Sequence, residues 1–231
     1  MVQDYTSITY DEEKRPKTRY PDQLIEYLIK RYQIPSEVSV LELGCGRGDF
    51  LEAFKKKGMS CFGCDLSPSS GDFLKALNIP FKVVDLTSQS YPYEDNSFDV
   101  IYHKSVIEHV YNPEHMLREM YRILKPGGQV IILTPDWLTQ MKTFYDDYTH
   151  CRPYTTQSLK DVLTVYGFKN VSTERFYQLP LVWRIPVLKG FCQVLQIFLK
   201  SKGGRTLAEW THCSFFRWAV ELMVLGSGRK E

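Results

Sequence analysis

Three glycines at short intervals, next to a run of apolar residues, are the first feature of this chain that could do chemistry. Gly44, Gly46 and Gly48 directly follow the apolar run 38–43. Glycine reaches backbone conformations that are closed to other residues, and it lets a ligand approach the main chain. A strand, a glycine turn and the helix expected over 49–57 would together aim free backbone N–H groups at a ligand. The sequence therefore predicts the floor of a nucleotide-type binding site here.

The spacing of the glycines separates two kinds of nucleotide site. The dinucleotide fingerprint is Gly-x-Gly-x-x-Gly. Here the third glycine, Gly48, comes one residue early, and Asp49 occupies the fingerprint position. Glu42 precedes the first glycine by two residues, so the pattern is Glu-x-Gly-x-Gly-x-Gly. An NAD-dependent oxidoreductase is accordingly the weakest of the alternatives.

Acidic residues stand at the ends of the predicted strands that flank this turn. Ligands of an open α/β sheet sit beyond the carboxyl ends of the strands. Asp65 lies 21 residues after Gly44, the separation expected of a carboxylate that accepts from both ribose hydroxyls. Asp85 closes the next strand, where it could accept from an adenine amino group while Leu86 packs on the ring. Together with the glycines, these acids predict a site for an adenosine-containing cofactor.

The motifs of this region resemble those of the class I S-adenosylmethionine-dependent methyltransferases. In chain order they are Leu-Glu-Leu-Gly-Cys-Gly-Arg-Gly, Cys-Asp-Leu-Ser, Val-Val-Asp-Leu, Asn-Ser-Phe-Asp-Val-Ile-Tyr-His-Lys-Ser-Val-Ile-Glu-His-Val and Ile-Leu-Lys-Pro-Gly-Gly. The resemblance covers about residues 22–177. It implies S-adenosylmethionine as the cofactor and S-adenosylhomocysteine as the product.

The same resemblance implies which residues bind the cofactor. Glu42 would orient its ammonium group, and His103 would line its methionine end, at a position that is more often small or neutral in the family. The implied set is Glu42, Gly44, Cys45, Gly46, Gly48, Asp65, Leu66, Asp85, Leu86 and His103.

Two histidines are the candidates for moving a proton. Transfer of a methyl group from a sulfonium is an in-line displacement, and a hydroxyl nucleophile profits from a general base, for which histidine is the default near neutral pH. His109 follows the fourth predicted strand, and His150 lies in the loop beyond the fifth. We predict His150 and His109 as catalytic residues. A structural role for His109, and capping of the next helix by His150, are the alternatives.

The segment 149–155 predicts contacts with the substrate. Its sequence, Thr-His-Cys-Arg-Pro-Tyr-Thr, resembles a segment of bacterial methyltransferases that modify cell-surface glycans and lipids. The resemblance implies substrate binding by Arg152 and Tyr154, since a guanidinium can hold a phosphate or a sugar hydroxyl. Tyr20 is a further substrate candidate, because the segment 1–21 is interpreted as an N-terminal tail or a lid that orders over a ligand.

No metal site is expected from the sequence. Cys61 and Cys64 form a lone Cys-x-x-Cys without the second pair that a zinc site would need. Asp146, Asp147 and His150 are the other candidate set, and adjacent aspartates seldom converge on one ion. The six cysteines are interpreted as reduced thiols of a cytoplasmic protein, in line with a polar N-terminus that has no apolar core of signal-peptide length.

The elements that must position these residues alternate between strands and helices. After a helix over 22–32, strands are predicted over 38–43, 59–64, 81–84, 98–102 and 129–133, with helices between them. The last of these strands follows a predicted turn at 125–128, and strands over 168–177 and 217–225 complete the set. Such alternation predicts a doubly wound sheet. With the resemblance, the expected fold is α/β, a Rossmann-like sheet of seven mostly parallel strands, the last antiparallel, with helices on both faces.

The predicted domain spans 22–231 and carries a helical, basic, amphipathic insertion at 178–215. One helical face of this segment holds Val187, Leu188, Phe191, Val194, Leu195 and Phe198. Basic residues interrupt the apolar run, so the segment is not expected to span a membrane. Peripheral contact with the inner membrane face through 181–200 is one hypothesis, and a lid or a homodimer contact is the alternative. Whether the protein is a monomer or a homodimer stays open.

We therefore predict a cytoplasmic S-adenosylmethionine-dependent methyltransferase. The acceptor is expected to be a small molecule or a glycan, free or lipid-linked, methylated at oxygen. A net charge of +2 gives no general attraction to nucleic acid, and no nucleic-acid partner is expected. The alternatives are a C-methyltransferase of quinone biosynthesis and a non-catalytic module that binds S-adenosylmethionine.

Overall fold

The structure, a computed structural model, describes residues 16–231. Most of the predicted tail or lid at 1–21, including Tyr5 and Tyr10, therefore lies outside the described residues.

The described chain contains a sheet of seven strands. They are β1 (Ser39–Leu43), β2 (Ser60–Asp65), β3 (Phe81–Val83), β4 (Phe98–Lys104), β5 (Leu124–Pro135), β6 (Lys169–Phe176) and β7 (Met223–Arg229). Their order across the sheet is β3-β2-β1-β4-β5-β7-β6. The first five strands pair in parallel, and β7 lies antiparallel between β5 and β6. The predicted fold class is confirmed. The strand order reverses between β1 and β4, so the ligand crevice is expected at their carboxyl ends.

Helices cover both faces of this sheet. They are α1 (Tyr20–Tyr32), α2 (Asp49–Lys56), α3 (Ser70–Ala76), α4 (Glu114–Ile123), α5 (Trp137–Gln140), α6 (Thr156–Val165), α7 (Pro180–Arg184), α8 (Leu188–Thr211) and α9 (Phe215–Val220). Side chains of β1 alternate between two cores: Val40 packs with residues of α1, α2 and α3, whereas Leu41 packs with residues of α4 and α6. Alternation along a strand thus builds the two layers.

The predicted turn at 125–128 is wrong in one respect, because it does not precede the fifth strand but interrupts it. β5 already pairs with β4 at Leu124, opposite Phe98, and resumes pairing at Gln129, opposite Val100. The residues between bulge out, with Gly127 at a φ of 78° and its N–H donating to the carbonyl of Lys230. A bulge of this kind needs the same glycines as a turn, which explains the error.

The predicted last strand over 217–225 is also wrong over its first half. Residues Phe215–Val220 form α9, and the strand runs from Met223 to Arg229. The apolar residues at the end of α9 and just beyond it pack into a third core together with α7 and α8. The strand continues further than expected because Gly226 and Gly228 leave room for Leu159 and Phe168, whose atoms an added Cβ would approach to 2.6 and 2.9 Å.

The helical segment between β6 and β7 divides the predicted apolar face in two. Leu188 and Leu195 pack against the third core, whereas Phe191, Val194 and Phe198 are exposed. Of the residues described, no helix is both long enough and apolar enough to cross a membrane.

Candidate active site

The glycine turn after β1 adopts the conformations that its glycines predict. Gly44, Gly46 and Gly48 have φ angles of 65°, 50° and 79°, in the left-handed region that favours glycine. A Cβ added to Gly44 would come within 2.5 Å of Cγ2 of Val106, which follows β4. The turn therefore brings the ends of β1 and β4 into contact, and α2 begins directly after it, at Asp49.

The expectation of free backbone N–H groups in this turn is wrong for four of them. The N–H groups of Gly44 and Cys45 both donate to the carbonyl of Cys64, and that of Gly48 donates to the carbonyl of Cys45. The N–H of Gly46 donates to Oδ2 of Asp65 at 2.8 Å. The turn thus offers a ligand a close approach to the backbone rather than a set of unused donors.

Asp65 stands where the sequence placed it, at the end of β2 beside the turn. Its Oδ1 accepts from the N–H of Ser67 at 2.9 Å, and its Oδ2 from Gly46 at 2.8 Å. Each carboxylate oxygen has a second lone pair. These two hydrogen bonds hold the side chain in one orientation beside the turn, and its contact with a ribose stays a prediction.

Glu42 is a buried carboxyl group close to the turn. It is 3 % exposed, and within 16–231 its Oε2 has no hydrogen-bond partner. Burial, followed by the charges of Asp49 and Asp65, raises its pKa well above the usual value. A buried carboxyl oxygen without a partner calls for a donor or a cation. The ammonium group of S-adenosylmethionine is such a donor, so this residue fits the predicted cofactor.

An aromatic cluster borders the same region. The ring of Tyr20 lies 6.5 Å from that of Phe50, 6.1 Å from Trp183 and 5.2 Å from Trp218, centroid to centroid. Its hydroxyl oxygen is buried, and burial raises its pKa. Tyr20 thus ties the start of α1 to α7 and α9, and its contact with a substrate stays a prediction.

The three residues that were predicted to contact the adenine ring, Leu66, Asp85 and Leu86, differ in exposure. Leu66 is 67 % exposed next to Asp65, whereas Leu86 lies in the core. Oδ1 of Asp85 accepts from the N–H and hydroxyl of Thr87, and these hydrogen bonds help to lower its pKa. Leu66 is therefore better placed than Leu86 to contact a ring, and the roles of all three stay predictions.

His103 and Cys45 are two further predicted cofactor residues whose side chains are buried. His103 is fully buried, and burial lowers its pKa to about 3. Its neighbour Tyr102 contacts Phe50 beside the turn, and successive side chains of a strand face opposite sides, so His103 faces away from the turn. The thiol of Cys45 packs in the core below the turn. Contact of His103 with the cofactor stays a prediction.

The two predicted catalytic histidines lie together at the carboxyl edge of the sheet. His109 ends the 3₁₀ turn Ile107–His109 after β4, and His150 lies in the loop after β5. Their ring centroids are 4.7 Å apart. The N–H groups of Cys151 and Arg152 both donate to the carbonyl of Glu108, at 2.9 and 3.0 Å. These two hydrogen bonds hold the His150 loop against the His109 turn.

A chain of hydrogen bonds orients both imidazoles. Oγ1 of Thr149 donates to Oδ1 of Asp147 at 2.6 Å, so at 2.8 Å it accepts from Nδ1–H of His109. Nδ1 of His150 lies 2.6 Å from the carbonyl oxygen of Phe144, to which it donates. These partners assign the Nδ1–H tautomer and leave a lone pair on each Nε2. Burial, then the charge of His150, lowers the pKa of His109, which keeps its ring neutral.

Glu108 is a site residue that the sequence reading missed. Its side chain is fully buried between the histidine loop and β5, where Oε2 accepts from the hydroxyl of Thr134 at 2.9 Å. Burial raises its pKa to about 7. The adjacent Glu108-His109 pair was visible in the sequence, but nothing there indicated that Thr134 and His150 would converge on it.

The predicted substrate residues Arg152 and Tyr154 differ in exposure. Arg152 is exposed and donates from Nη1 to the carbonyl of Tyr111 at 3.0 Å. Tyr154 is 2 % exposed in the core, where burial raises its pKa. Arg152 is thus available at the rim of the histidine cluster, and a role for either residue stays a prediction.

A cavity of about 460 Å³ lies elsewhere, between α4 and α6. Two of its lining residues, Arg118 and Arg122, already pair with Glu114 and Glu119. It shares no residue with the glycine turn or the histidine cluster, and it contributes nothing to their chemistry.

Comparison with known proteins identifies the family of this chain. Residues 10–173, more than half of the chain, match a family model described as a methyltransferase domain. The chain belongs to this methyltransferase family. The predicted class I, S-adenosylmethionine-dependent methyltransferase is thereby confirmed together with its cofactor.

Relatives of this methyltransferase include proteins named phosphoethanolamine N-methyltransferases. Phosphoethanolamine N-methyltransferase 1 of Arabidopsis thaliana is 32% identical over 160 residues, which are 63% of this chain and 32% of that enzyme. The chain thus matches about a third of the length of this relative.

Solved structures show the same fold. A SAM-dependent methyltransferase from Archaeoglobus fulgidus has a TM-score of 0.65 at 20% identity, over 98% of this chain and 100% of that one. Haemonchus contortus phosphoethanolamine N-methyltransferase 2, in complex with S-adenosyl-L-methionine, has a TM-score of 0.63 at 17% identity, over 90% of this chain and 52% of that one. The predicted kinship with enzymes of the bacterial cell surface stays a prediction.

Proposed function

We propose that this methyltransferase transfers the methyl group of S-adenosylmethionine to a hydroxyl of a small-molecule or glycan acceptor, in the cytoplasm. The observation that carries the proposal is the pair of oriented imidazoles, His109 and His150, at the carboxyl edge of the sheet next to the glycine turn. Each keeps a lone pair on Nε2, which is what a proton-accepting group needs.

The cofactor side of the site consists of the turn, Asp65 and Glu42. The cofactor lies against the backbone of the turn, whose conformation depends on Gly44 because any side chain there would meet Val106. The fixed carboxylate of Asp65 accepts from ribose hydroxyls, and the partnerless Oε2 of Glu42 receives the ammonium group. When bound, the cofactor supplies a methyl group activated by its sulfonium.

The acceptor side removes a proton as the acceptor attacks. Nε2 of His109 takes the proton, and the positive charge that develops on the ring is stabilised through Thr149 by the carboxylate of Asp147. This relay has the general arrangement of a base oriented by a third group. His150, packed against the ring of His109, offers a second Nε2, and Arg152 at the rim offers a guanidinium for an anionic group of the acceptor.

An amine acceptor is the second candidate. The relative from Arabidopsis thaliana and the solved nematode structure are both named phosphoethanolamine N-methyltransferases. A protonated amine must also lose a proton before it attacks, so the same imidazoles would serve it. Incubation with methyl-labelled S-adenosylmethionine and panels of hydroxyl and amine acceptors tests the proposal. Label transfer to a hydroxyl supports it, transfer to amines alone supports the second candidate, and S-adenosylmethionine binding without transfer to either panel contradicts both.

We further propose that the exposed apolar side of α8 makes peripheral contact with an anionic membrane surface. Phe198 is 78 % and Ile197 is 71 % exposed on this helix. Between residues 176 and 208 the sequence contains five Lys or Arg and no acidic residue. Apolar side chains among basic ones favour an anionic lipid surface over a protein lid. Such a location would suit an acceptor with a lipid tail.

A further inference from the structure

Three side chains converge at the histidine cluster, and one of them, Glu108, takes no part in the proposed proton relay. Glu108, His109 and His150 each offer one potential ligand atom, and these atoms lie within 4.8 Å of one another. They come from the turn after β4 and the loop after β5, which two backbone hydrogen bonds to the carbonyl of Glu108 hold together. The three groups are therefore positioned by the fold rather than by a flexible surface.

Both histidines are oriented as metal ligands usually are. A histidine that binds a metal almost always donates its other ring N–H to a carbonyl, a carboxylate or a similar acceptor. Nδ1 of His150 donates to the carbonyl of Phe144, and Nδ1 of His109 donates to Thr149, which in turn donates to Asp147. In the neutral form of each ring the lone pair is on Nε2, in a direction that these hydrogen bonds fix.

Glu108 supplies a second and independent observation. Its side chain is fully buried, and Oε2 is oriented by the hydroxyl of Thr134. Oε1 is buried and has no hydrogen-bond partner among residues 16–231. A buried carboxylate oxygen without a donor or a cation is costly. A carboxylate oxygen of Glu108 lies within 4.8 Å of a nitrogen of each imidazole, and the Nδ1–H of each ring already donates to another acceptor.

We propose that Oε1 of Glu108 and the Nε2 atoms of His109 and His150 bind one divalent transition-metal ion of the zinc type. Two imidazoles and one carboxylate are the donor set of catalytic zinc sites, which keep a further position open. Imidazole ligands favour such ions over magnesium or calcium. The site differs from the Asp146, Asp147 and His150 set considered above: Asp146 pairs with Arg205 at 3.0 Å, and Asp147 acts in the outer shell.

The role of the ion rests on the proposed function, whereas its binding does not. At the open position it would hold an acceptor oxygen and lower the pKa of that hydroxyl, so that the proton leaves to solvent water. In the loaded enzyme the ion would thus replace the Nε2 of His109 as the group that activates the acceptor. Asp147 and Thr149 would then fix the ligand His109 instead of stabilising an imidazolium.

Titration with Co²⁺ tests the binding site directly. Protein dialysed against a chelator is titrated with CoCl₂ while visible absorption is followed, because Co²⁺ bound by imidazoles at a four-coordinate site absorbs much more strongly than the aqueous ion. We expect one Co²⁺ per chain, displaced by Zn²⁺. His109→Ala and His150→Ala should each remove this signal. His212→Ala, at an exposed histidine just after α8, should retain it.

A milder variant distinguishes Co²⁺ binding at an oriented set of ligands from adventitious binding of the ion. Thr149→Val keeps the shape of the side chain but removes the acceptor for Nδ1–H of His109, and loss of such an outer partner typically costs about 10–100-fold in metal affinity. Glu108→Gln should weaken binding while it leaves the hydrogen bond from Thr134 possible. Absence of saturable binding of one Co²⁺ by the wild type, or equal affinity in the His150→Ala variant, overturns the site.

Measurements of Co²⁺ binding and of methyl transfer test the metal site and the proposed function separately. Methyl transfer at full rate in excess chelator, with no Co²⁺ bound by the wild type, removes the metal and leaves the proposed function intact. Saturable Co²⁺ binding that depends on His109 and His150, without methyl transfer to any acceptor, leaves the site and removes the function. S-adenosylmethionine binding, measured by calorimetry in chelator, reports in every variant whether the protein is folded.

Discussion

The N–H of Gly46 donates a hydrogen bond of 2.8 Å to Oδ2 of Asp65, and this contact fastens the glycine turn after β1 to the end of β2. This carboxylate fixes the conformation of the turn. We propose that it also accepts from the ribose hydroxyls of the cofactor. Its neighbour Glu42 has the opposite character, since its Oε2 is buried without a partner within 16–231. The site thus combines the carboxylate of Asp65, which backbone N–H groups hold in place, with the buried Oε2 of Glu42, which a cationic group could contact.

Gly44→Ala should destabilise the protein and weaken S-adenosylmethionine binding. The φ of 65° costs a residue with a Cβ about 1–2 kcal/mol, and that Cβ would lie 2.5 Å from Cγ2 of Val106. The free energy of unfolding is measured with urea. Gly190→Ala, in α8 with no atom within 4 Å of the new Cβ, is the control and should be neutral or slightly stabilising. Adding Val106→Ala to Gly44→Ala should recover part of the loss, and no recovery would disprove the steric explanation.

His109→Ala and His150→Ala should each reduce methyl transfer by about 10²–10⁴-fold. Their affinity for S-adenosylmethionine should stay within about threefold of the wild type, because the rings contact Thr149, Phe144 and each other rather than the glycine turn. Single-turnover rates and calorimetric affinities separate the two effects. His212→Ala is the matched control. Unchanged transfer in both histidine variants would show that the cluster is structural.

Glu119→Gln should make the protein less stable at neutral pH and nearly as stable as the wild type in acid. The guanidinium of Arg122 holds the pKa of Glu119 at about 2 in the folded protein, below its ordinary 4.5. A lowered pKa contributes stability that is present above pH 4.5 and is lost as the pH falls toward 2. The contribution is about 3 kcal/mol at neutral pH.

Urea unfolding of this variant and the wild type between pH 3 and pH 7 measures that difference. Glu114→Gln removes a mostly exposed pair with Arg118 and should cost less than about 1 kcal/mol. A stability difference between Glu119→Gln and wild type that does not shrink in acid would contradict the assignment.

Phe198→Glu should reduce flotation of the protein with anionic phosphatidylglycerol vesicles, and added salt should reduce wild-type flotation. The structure selects this position over Leu195, which packs against the third core. Val165→Glu, at another exposed apolar residue, on α6, is the control. Equal flotation of Phe198→Glu and wild type would exclude the membrane face. A dimer that dissociates in Phe198→Glu, seen by light scattering, would point to a second copy on this surface instead.

The sheet and the glycine turn were predictable because their signals are local. The glycine spacing and Glu42 belong to β1 and the turn after it, and the structure fastens that turn to Asp65 at the end of β2. The cofactor roles of these residues stay predictions. Local patterns failed where several structures satisfy the same pattern. Alternating apolar residues over 217–225 fit a strand, but packing against α7 and α8 made the first half a helix.

The geometry of the histidine cluster was only half predictable, for a different physical reason. His109 and His150 could be chosen by residue type, but their contact depends on hydrogen bonds between Glu108 and residues 151–152, more than forty positions away. Glu108 itself gave no signal, since its burial is set by Thr134 on β5. The sequence likewise puts Leu195 and Phe198 on one face of α8, and only packing shows that Leu195 is covered by the third core whereas Phe198 is exposed.

Calorimetric titration with S-adenosylmethionine tests the central claim most directly, in the wild type, in Asp65→Ala and in the exposed control Asp72→Ala. We predict binding of one S-adenosylmethionine per wild-type chain, no detectable binding of NAD, and affinity at least about tenfold lower in Asp65→Ala, which corresponds to about 1.4 kcal/mol. Asp72→Ala should bind like the wild type. Binding of NAD without S-adenosylmethionine, or unchanged affinity in Asp65→Ala, would contradict a cofactor site built on the glycine turn and Asp65.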